Sequence, residues 1–531
     1  MLLGNYIGIS SHPYSDGATA NEKTTSNPDP QAAADEASGC ERRPTVSSEP
    51  PVECDHQVSA KRRVSALDFE AGSFRDPETR VFYHNGAVLR CLTQRALDDW
   101  QQLHRTKFFA RLAAERKLIG TTLLSNTDLL PPNAQWAAVL KHEAVPLVSY
   151  PYEWSFSMLK DAALLQLDVT LAALEEDMIL KDATPFNVQW LGCRPTFIDI
   201  GSFTSYQPGE PWNGYRQFCE LFLYPLLLQS YRNVQFQVWL RGNLEGITAE
   251  QIQSMLSVRD HFRSGVFTHV YLQAKAQARY ERSERNIKAD LRHAGFSAKL
   301  IKHNVSGLRR LVGRLHWTPT ESAWSDYEHT HNYTSGELQQ KTAFIRRVLT
   351  VRRRPLVWDL GCNTGMYSRL ASQYSDYVLA LDADHTVVDR LYRELRTENI
   401  RNILPMVTDC ANPAPSQGWR GLERRSFSER GSPQLILCLA LVHHLVISRH
   451  VPLSQLIAWL AGFDAELVIE FIDHNDPKVR HLLRHRSNQN VDYSRLGLED
   501  ALTEHFSNIE SETLESGNRI LYYANNNRSS S

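Results

Sequence analysis

The sequence lacks most of the features that would assign a function at once. Its eight cysteines are scattered, with no C-x-x-C pair and no zinc-ligand spacing. That argues against a disulfide-stapled scaffold or a zinc ribbon and points to a reducing compartment. Neither sign of charge prevails: the formal net charge is -2 over 531 residues, with the charges interspersed. No basic face for a nucleic acid follows from such a pattern. No apolar stretch is long enough to cross a bilayer. The opening "MLLGNYIGIS" has neither a basic leader nor a hydrophobic core of signal-peptide length. The expectation is a cytoplasmic protein without nucleic-acid or membrane partners. Its oligomeric state is not legible.

What is present divides the chain, whose length suits about three or four units of roughly 150 residues each. Residues 1–63 are rich in Ser, Pro, Ala, Asp and Glu and show no hydrophobic period. Such a segment buries too little to offset its ordering entropy, so a disordered tail is expected. In "RVFYHNGAVLRCL" two apolar runs flank Asn85-Gly86, a hairpin signal. "WAAVLKHEAVPLVSYPYEW" reads as strands around a turn, and "SFSMLKDAALLQLDVTLAALEEDMI" as a long amphipathic helix. Residues 64–315 are therefore expected to form an α+β domain, and 316–354 a helical linker. From 355 to 525, "PLVWDL", "YVLALD", "NILPMVTD", "PQLILCLALV" and "AELVIEFI" alternate with helical stretches. That alternation predicts an α/β domain with a parallel sheet covered by helices. Residues 526–531 are expected to be a disordered C-terminus.

The first strand of that domain runs into a loop, "VWDLGCNTG", with Asp359, Gly361, Asn363 and Gly365 in the spacing D-x-G-x-x-x-G. A dinucleotide-binding loop has G-x-G-x-x-G, so that backbone can approach a pyrophosphate. Counted from Gly361, the other two glycine positions hold Asn363 and Met366. Asparagine tolerates the left-handed conformation better than most residues. The loop therefore keeps its turn and loses its phosphate cradle, which suits a phosphate-free cofactor such as S-adenosylmethionine. The second strand ends at Asp382, where an acid suits a ribose diol. The third ends near Asp409-Cys410, where an adenine amino group would need an acceptor. Each acid alone also reads as a helix cap or a solvated turn.

These motifs resemble those of class I S-adenosylmethionine-dependent methyltransferases over about residues 355–523. The resemblance implies a Rossmann-like seven-stranded sheet whose last two strands are antiparallel, and "HFSNIESETLES" and "NRILYYAN" fit that pair. It implies S-adenosyl-L-methionine as cofactor, held by Asp359, Gly361, Asn363, Gly365, Asp382, Asp409 and Cys410. The chain departs from the family pattern at Asn363, where glycine is usual, and near Gln434, where an acid is usual. "SYPYEWSFSMLKDAALL" and "FIDIGSF" further resemble nodulation-type methyltransferase proteins of the NoeA kind. His443 and His444 follow the fourth strand, at the edge where open α/β sheets bind ligands. Either is a candidate general base, because an imidazole titrates near neutral pH. The alternative is that one packs on the sheet and the other caps a helix. Glu470 is a weaker candidate for contacting the acceptor.

A second constellation lies upstream in "LKDATPFNVQWLGCRPTFIDIGSF". Asp182 and Asn187 have the D-x-x-x-x-N spacing of a kinase catalytic loop, and Asp199-Ile200-Gly201 stands where D-F-G would follow. In phosphoryl transfer the first acid accepts a hydroxyl proton, while the Asn and the second Asp hold magnesium. The region resembles a protein-kinase-like or aminoglycoside-phosphotransferase-like lobe. It departs from that pattern in three ways: no G-x-G-x-x-G loop, no V-A-I-K lysine motif, and Leu180-Lys181 in place of His-Arg. The chain is thus read as a methyltransferase whose N-terminal domain selects or presents a small-molecule or saccharide acceptor. A phosphotransferase and a non-catalytic two-domain binding protein are the alternatives.

Overall fold

The computed structural model describes residues 68–125, 129, 135–263, 265–275, 297–318, 333–484 and 493–526. The expected N-terminal tail and the last five residues lie outside them. Sixteen strands are named in chain order. The first five, β1 (Asp68–Phe69), β2 (Thr79–His84), β3 (Ala87–Leu92), β4 (Thr121–Leu124) and β5 (Ala138–His142), form one antiparallel sheet in the order β1-β2-β3-β5-β4. Asn85 and Gly86 both have positive φ, at 49° and 74°, which is what a two-residue hairpin turn requires. Only one strand, β5, emerges from the Trp136–Trp154 region; the chain after it runs irregularly to the helix Phe156–Glu175. Ser155 caps that helix through Met158 N–H. Thirteen of its twenty residues are buried, so it is a core helix rather than a surface one.

Two small antiparallel pairs follow: β6 (Met178–Leu180) with β9 (Phe203–Ser205), and β7 (Val188–Leu191) with β8 (Arg194–Phe197). The helix Ser335–Thr350 then leads into the second sheet, its start fixed by a Thr334–Glu337 capping box.

That sheet contains β10 (Arg354–Leu360), β11 (Ser375–Asp382), β12 (Ile403–Val407), β13 (Leu435–Cys438), β14 (Glu466–Ile472), β15 (Asn508–Thr513) and β16 (Arg519–Asn525). Their order is β12-β11-β10-β13-β14-β16-β15; β10 to β14 are parallel, and β16 is antiparallel to both neighbours. This is a Rossmann-like seven-stranded α/β sheet, and all seven strands coincide with the runs read from the sequence, β10 and β11 starting one and two residues earlier. The strand order reverses at β10, so the crevice for a ligand lies beside its carboxyl end. The two halves share one apolar core: Trp190 packs edge-on against Tyr392, with ring centroids 5.6 Å apart. No helix among the described residues is long and apolar enough to cross a membrane.

Candidate functional site

The site is built on the turn that ends β10. Gly361 N–H and Cys362 N–H both donate to the Leu381 carbonyl, at 2.8 and 3.0 Å, folding the chain back over β11. Gly361, Asn363 and Gly365 have φ of 71°, 47° and 81°. Asn363 closes the turn with its own side chain, whose Oδ1 accepts Thr364 N–H at 2.7 Å. Gly365 starts the next helix, and a Cβ there would come within 2.7 Å of Leu391 Cδ1. Asn363 N–H donates to Asp382 Oδ2 at 2.9 Å, and Gly365 N–H to the Cys362 carbonyl at 2.9 Å. All five backbone N–H groups from Gly361 to Gly365 are thus satisfied inside the protein.

Beside the turn lies a cavity of about 590 Å³. Of the residues singled out in the sequence, Gly361, Asn363, Asp382, Asp409, Cys410 and His444 line it. Asp359, Gly365 and His443 are not on its surface. Asp359 lies behind the loop, buried, and accepts Ser368 Oγ–H at 2.5 Å. Burial pushes its carboxyl up to about 6. Asp382 is half-exposed by surface area yet deeply set, and burial raises its pKa against the pull of its backbone donors. Those donors are Asp384 N–H, at 2.9 Å to Oδ1, Asn363 N–H and, adding least, Ala383 N–H. Asp409 takes Ala411 N–H at 2.9 Å on Oδ1 and pairs with Arg449 through Oδ2. The neighbouring Cys410 thiol is pushed up to about 12 by burial, so it is an un-ionised wall.

His443 and His444 stack with ring centroids 4.0 Å apart but face different surroundings. His443 is 1% exposed, its Nδ1 is buried without a hydrogen-bond partner, and burial holds its pKa well below the usual range. His444 reaches the cavity, and burial, with the Lys478 charge, lowers it to about 4. Glu470 does not reach the cavity. It is fully buried, held by Lys341 Nζ at 2.7 Å and by Tyr333 Oη at 2.8 Å. Gln434 immediately precedes β13, where its Oε1 accepts the Leu356 N–H of the central strand β10 at 2.8 Å.

Sequence reasoning missed several lining residues. Ala440 takes φ of 51° just after β13, a conformation its side chain gave no reason to expect. Asp384 caps the next helix, its Oδ1 accepting Thr386 N–H at 2.8 Å, and an aspartate just before a helical run was the signal that could have found it. Gln235 comes from the N-terminal half, and His385 is stacked on Trp317 at 4.9 Å; neither had a local signal.

The upstream constellation is brought together only in part. Asp182 follows β6, Asn187 ends a short turn of helix before β7, and Asp199 follows β8. Burial first, and then the Asp199 charge, raises Asp182 to about 6. Asp199 is paired with Arg90 of β3 at 2.8 Å, so a guanidinium already neutralises the acid read as a magnesium ligand. Among the described residues no group of three or more His, Cys, Asp or Glu side chains is placed to hold a metal ion.

No protein-family model matches the chain. Among solved structures, it is similar to the N-methyltransferase NodS from Bradyrhizobium japonicum WM9 in complex with S-adenosyl-l-homocysteine, at 13% identity. That match covers 39% of this chain and 99% of the other, with a TM-score of 0.29. It is also similar to magnesium protoporphyrin IX methyltransferase (ChlM) from Synechocystis PCC 6803 with bound SAM, at 16% identity, 39% and 86% coverage and a TM-score of 0.25. Scores this low add nothing to the strand order itself. Over 461 residues, 85% of this chain and 95% of its counterpart, the sequence is 34% identical to nodulation protein NoeA of Rhizobium meliloti (strain 1021). With that identity along nearly the whole length of both proteins, the chain belongs to the family of nodulation protein NoeA.

Proposed function

We propose that the protein transfers a methyl group from S-adenosyl-L-methionine to a small-molecule or saccharide acceptor, and that it does so in nodulation. One observation carries the cofactor reading: the loop from Gly361 to Gly365 has no backbone N–H left for a phosphate. A pyrophosphate would find no cradle there, whereas a phosphate-free nucleoside cofactor needs none. The carboxylates fit it as well. Asp382 uses one acceptor site on each oxygen for backbone N–H groups and keeps others for a diol. The volume lies within the roughly 300–1,000 Å³ of small-molecule sites. When bound, the cofactor supplies an activated methyl group.

The chain's own residues then have limited tasks. Asp382 and Asp409 orient the nucleoside, and the wall from Leu439 to Leu441 excludes water beside it. His444, neutral at physiological pH, accepts the acceptor's proton. An attacking hydroxyl sheds that proton more readily as its new bond forms, so a weakly basic imidazole is adequate. The N-terminal half, read as a phosphotransferase-shaped scaffold, selects or presents the acceptor. Calorimetry with S-adenosylhomocysteine and, separately, with Mg-ATP tests this reading. Binding of the first without the second supports it. Tight Mg-ATP binding with no S-adenosylhomocysteine binding would make the phosphotransferase alternative the better one.

A further inference from the structure

A second cavity, of about 420 Å³, lies between the five-stranded sheet and the Glu423–Gly431 segment of the C-terminal half. Its walls include Val81, Tyr83, Val88, Tyr150, Phe186 and Ile198. Four arginines line it, and three of them are matched. Arg90 pairs with Asp199, Arg425 with Glu70 at 2.8 Å, and Arg430 with Glu153. The fourth is Arg424. Its guanidinium lies 4.1 Å from the Phe186 ring centroid, and its Nη1 donates to the neighbouring Glu423 carbonyl at 2.9 Å. Its Nε is buried without a partner, and among the described residues no carboxylate lies within ion-pair distance. The Glu423 carboxylate is turned instead to Arg75, at 2.6 Å. Glu143 and Glu429, the other acids not paired within the lining, are exposed to solvent. The unmatched charge inside the cavity is therefore positive, and a buried charge without a counter-ion is costly.

One further group there is unmatched. His142 is 7% exposed and lines the cavity. Its Nδ1 is 2.9 Å from Thr121 Oγ1, whose own hydroxyl donates to the Ile119 carbonyl at 3.0 Å. Thr121 therefore accepts from Nδ1–H, a tautomer assigned from this network. That leaves Nε2 as an acceptor, and it is buried without a partner. Burial lowers the ring's pKa to about 3, so it stays neutral.

We propose that this cleft is a binding site for a small cyclic molecule carrying an anionic group, carboxylate or phosphate, for Arg424 and a hydrogen-bond donor for His142 Nε2. The aromatic and aliphatic walls take the ring, and a charge-assisted bond to the guanidinium takes the anion. The site is independent of the cofactor reading, because it shares no lining residue with the first cavity.

The test is equilibrium binding to the full chain with 4-hydroxybenzoate and 4-hydroxyphenyl phosphate, and with neutral 4-hydroxybenzamide as reference. At least one anion is expected to bind about tenfold or more tightly than the amide, a difference of one charge-assisted bond. Which anion prevails distinguishes a carboxylate ligand from a phosphate ester. Arg424→Gln should erase the preference, and His142→Phe should weaken 4-hydroxybenzoate while leaving donor-free 4-methoxybenzoate unchanged. If either variant fails to fold, the anion-to-amide ratio on the unaltered protein decides alone. Equal binding of amide and anions, or no binding of any probe at millimolar concentration, overturns the proposal.

Discussion

Asn363 donates its backbone N–H to Asp382 Oδ2 at 2.9 Å, so the turn after β10 and the acid at the end of β11 form one rigid unit. The positive φ of Asn363 is what aims that N–H, and its own Oδ1 holds the next residue in place. Two consequences follow for S-adenosylhomocysteine binding. Asp382→Ala removes a charge-assisted acceptor worth about 1.5–3 kcal/mol, hence roughly ten- to more than hundredfold in affinity. Asn363→Gly keeps the left-handed turn and loses only the Thr364 contact, so it should cost about tenfold at most. Calorimetry on both variants checks this. Unchanged affinity in Asp382→Ala would remove the ribose assignment.

The two histidines should separate in their effects. His444→Ala is expected to lower turnover by about 10²–10⁴-fold while S-adenosylhomocysteine still binds. His443→Ala should act on stability, since the ring is buried away from the cavity. The sign of the pH dependence follows from the lowered His444 value. Its neutral form is the active one, so its contribution holds above about pH 5 and is lost as pH falls through about 4. A turnover profile that instead collapses near pH 6.5 would assign the proton to another group.

Much of this site could be read along the chain. Parallel strands buried on both faces appear as continuous apolar runs, so β10 to β14 stood out, and with them the acids at the ends of β11 and β12. The Asn85-Gly86 turn was legible for a similar local reason. Spacing did not tell which loop residues face the cavity: Gly361 and Asn363 do, while Asp359 and Gly365 lie behind them. Nor did it separate His443 from His444, neighbours at the start of one helical segment. Arg90 escaped notice because its meaning depends on Asp199, 109 residues away. Gln235 reaches the cavity only because the two halves share a core.

The elevated Asp359 value makes a statement about stability. In the folded protein its carboxyl titrates near 6, against 3.8 for the ordinary group. The native state therefore holds that proton more tightly, and stability falls as pH rises from about 4 to about 6. Two units correspond to roughly 3 kcal/mol, at about 1.4 kcal/mol each. Asp359→Asn retains an acceptor for Ser368 Oγ–H and has nothing to ionise. Its stability relative to the unaltered protein should therefore increase between pH 4 and pH 7, as urea unfolding would show. A difference independent of pH would mean that Asp359 titrates normally.

Lys341 and Glu470 tie the helix Ser335–Thr350 to β14 in a setting almost without solvent; their side chains are 3% and 0% exposed. Lys341→Met leaves Glu470 with Tyr333 and a more distant Arg519 at 3.7 Å. A loss of up to about 3–5 kcal/mol is expected, because the buried carboxylate keeps only a longer ion pair with an arginine already shared with Asp476. Adding Glu470→Leu should recover much of it. Thermal or urea unfolding of the two variants measures the recovery, and a double variant no better than the single one would show that the pair does not act as a unit.

In the N-terminal half, the pairing of Arg90 with Asp199 decides how a nucleotide would fare. A magnesium ion at Asp199 must compete with a guanidinium 2.8 Å away, and displacing it would leave Arg90 half-buried without its counter-ion. Asp182, raised to about 6, is partly protonated near neutral pH and is a weaker ligand for the same ion. Phosphoryl transfer depends on such electrostatic stabilisation. Mg-ATP is therefore expected to bind weakly or not at all. Asp199→Ala should leave S-adenosylhomocysteine affinity within about twofold, since Asp199 does not line the cavity proposed to hold it. It should nonetheless impair methylation of the natural acceptor if this half presents that acceptor. The comparison is calorimetry against turnover in the same variant. A magnesium-dependent phosphotransferase activity abolished by Asp182→Ala would overturn the ranking and make the N-terminal half the primary enzyme.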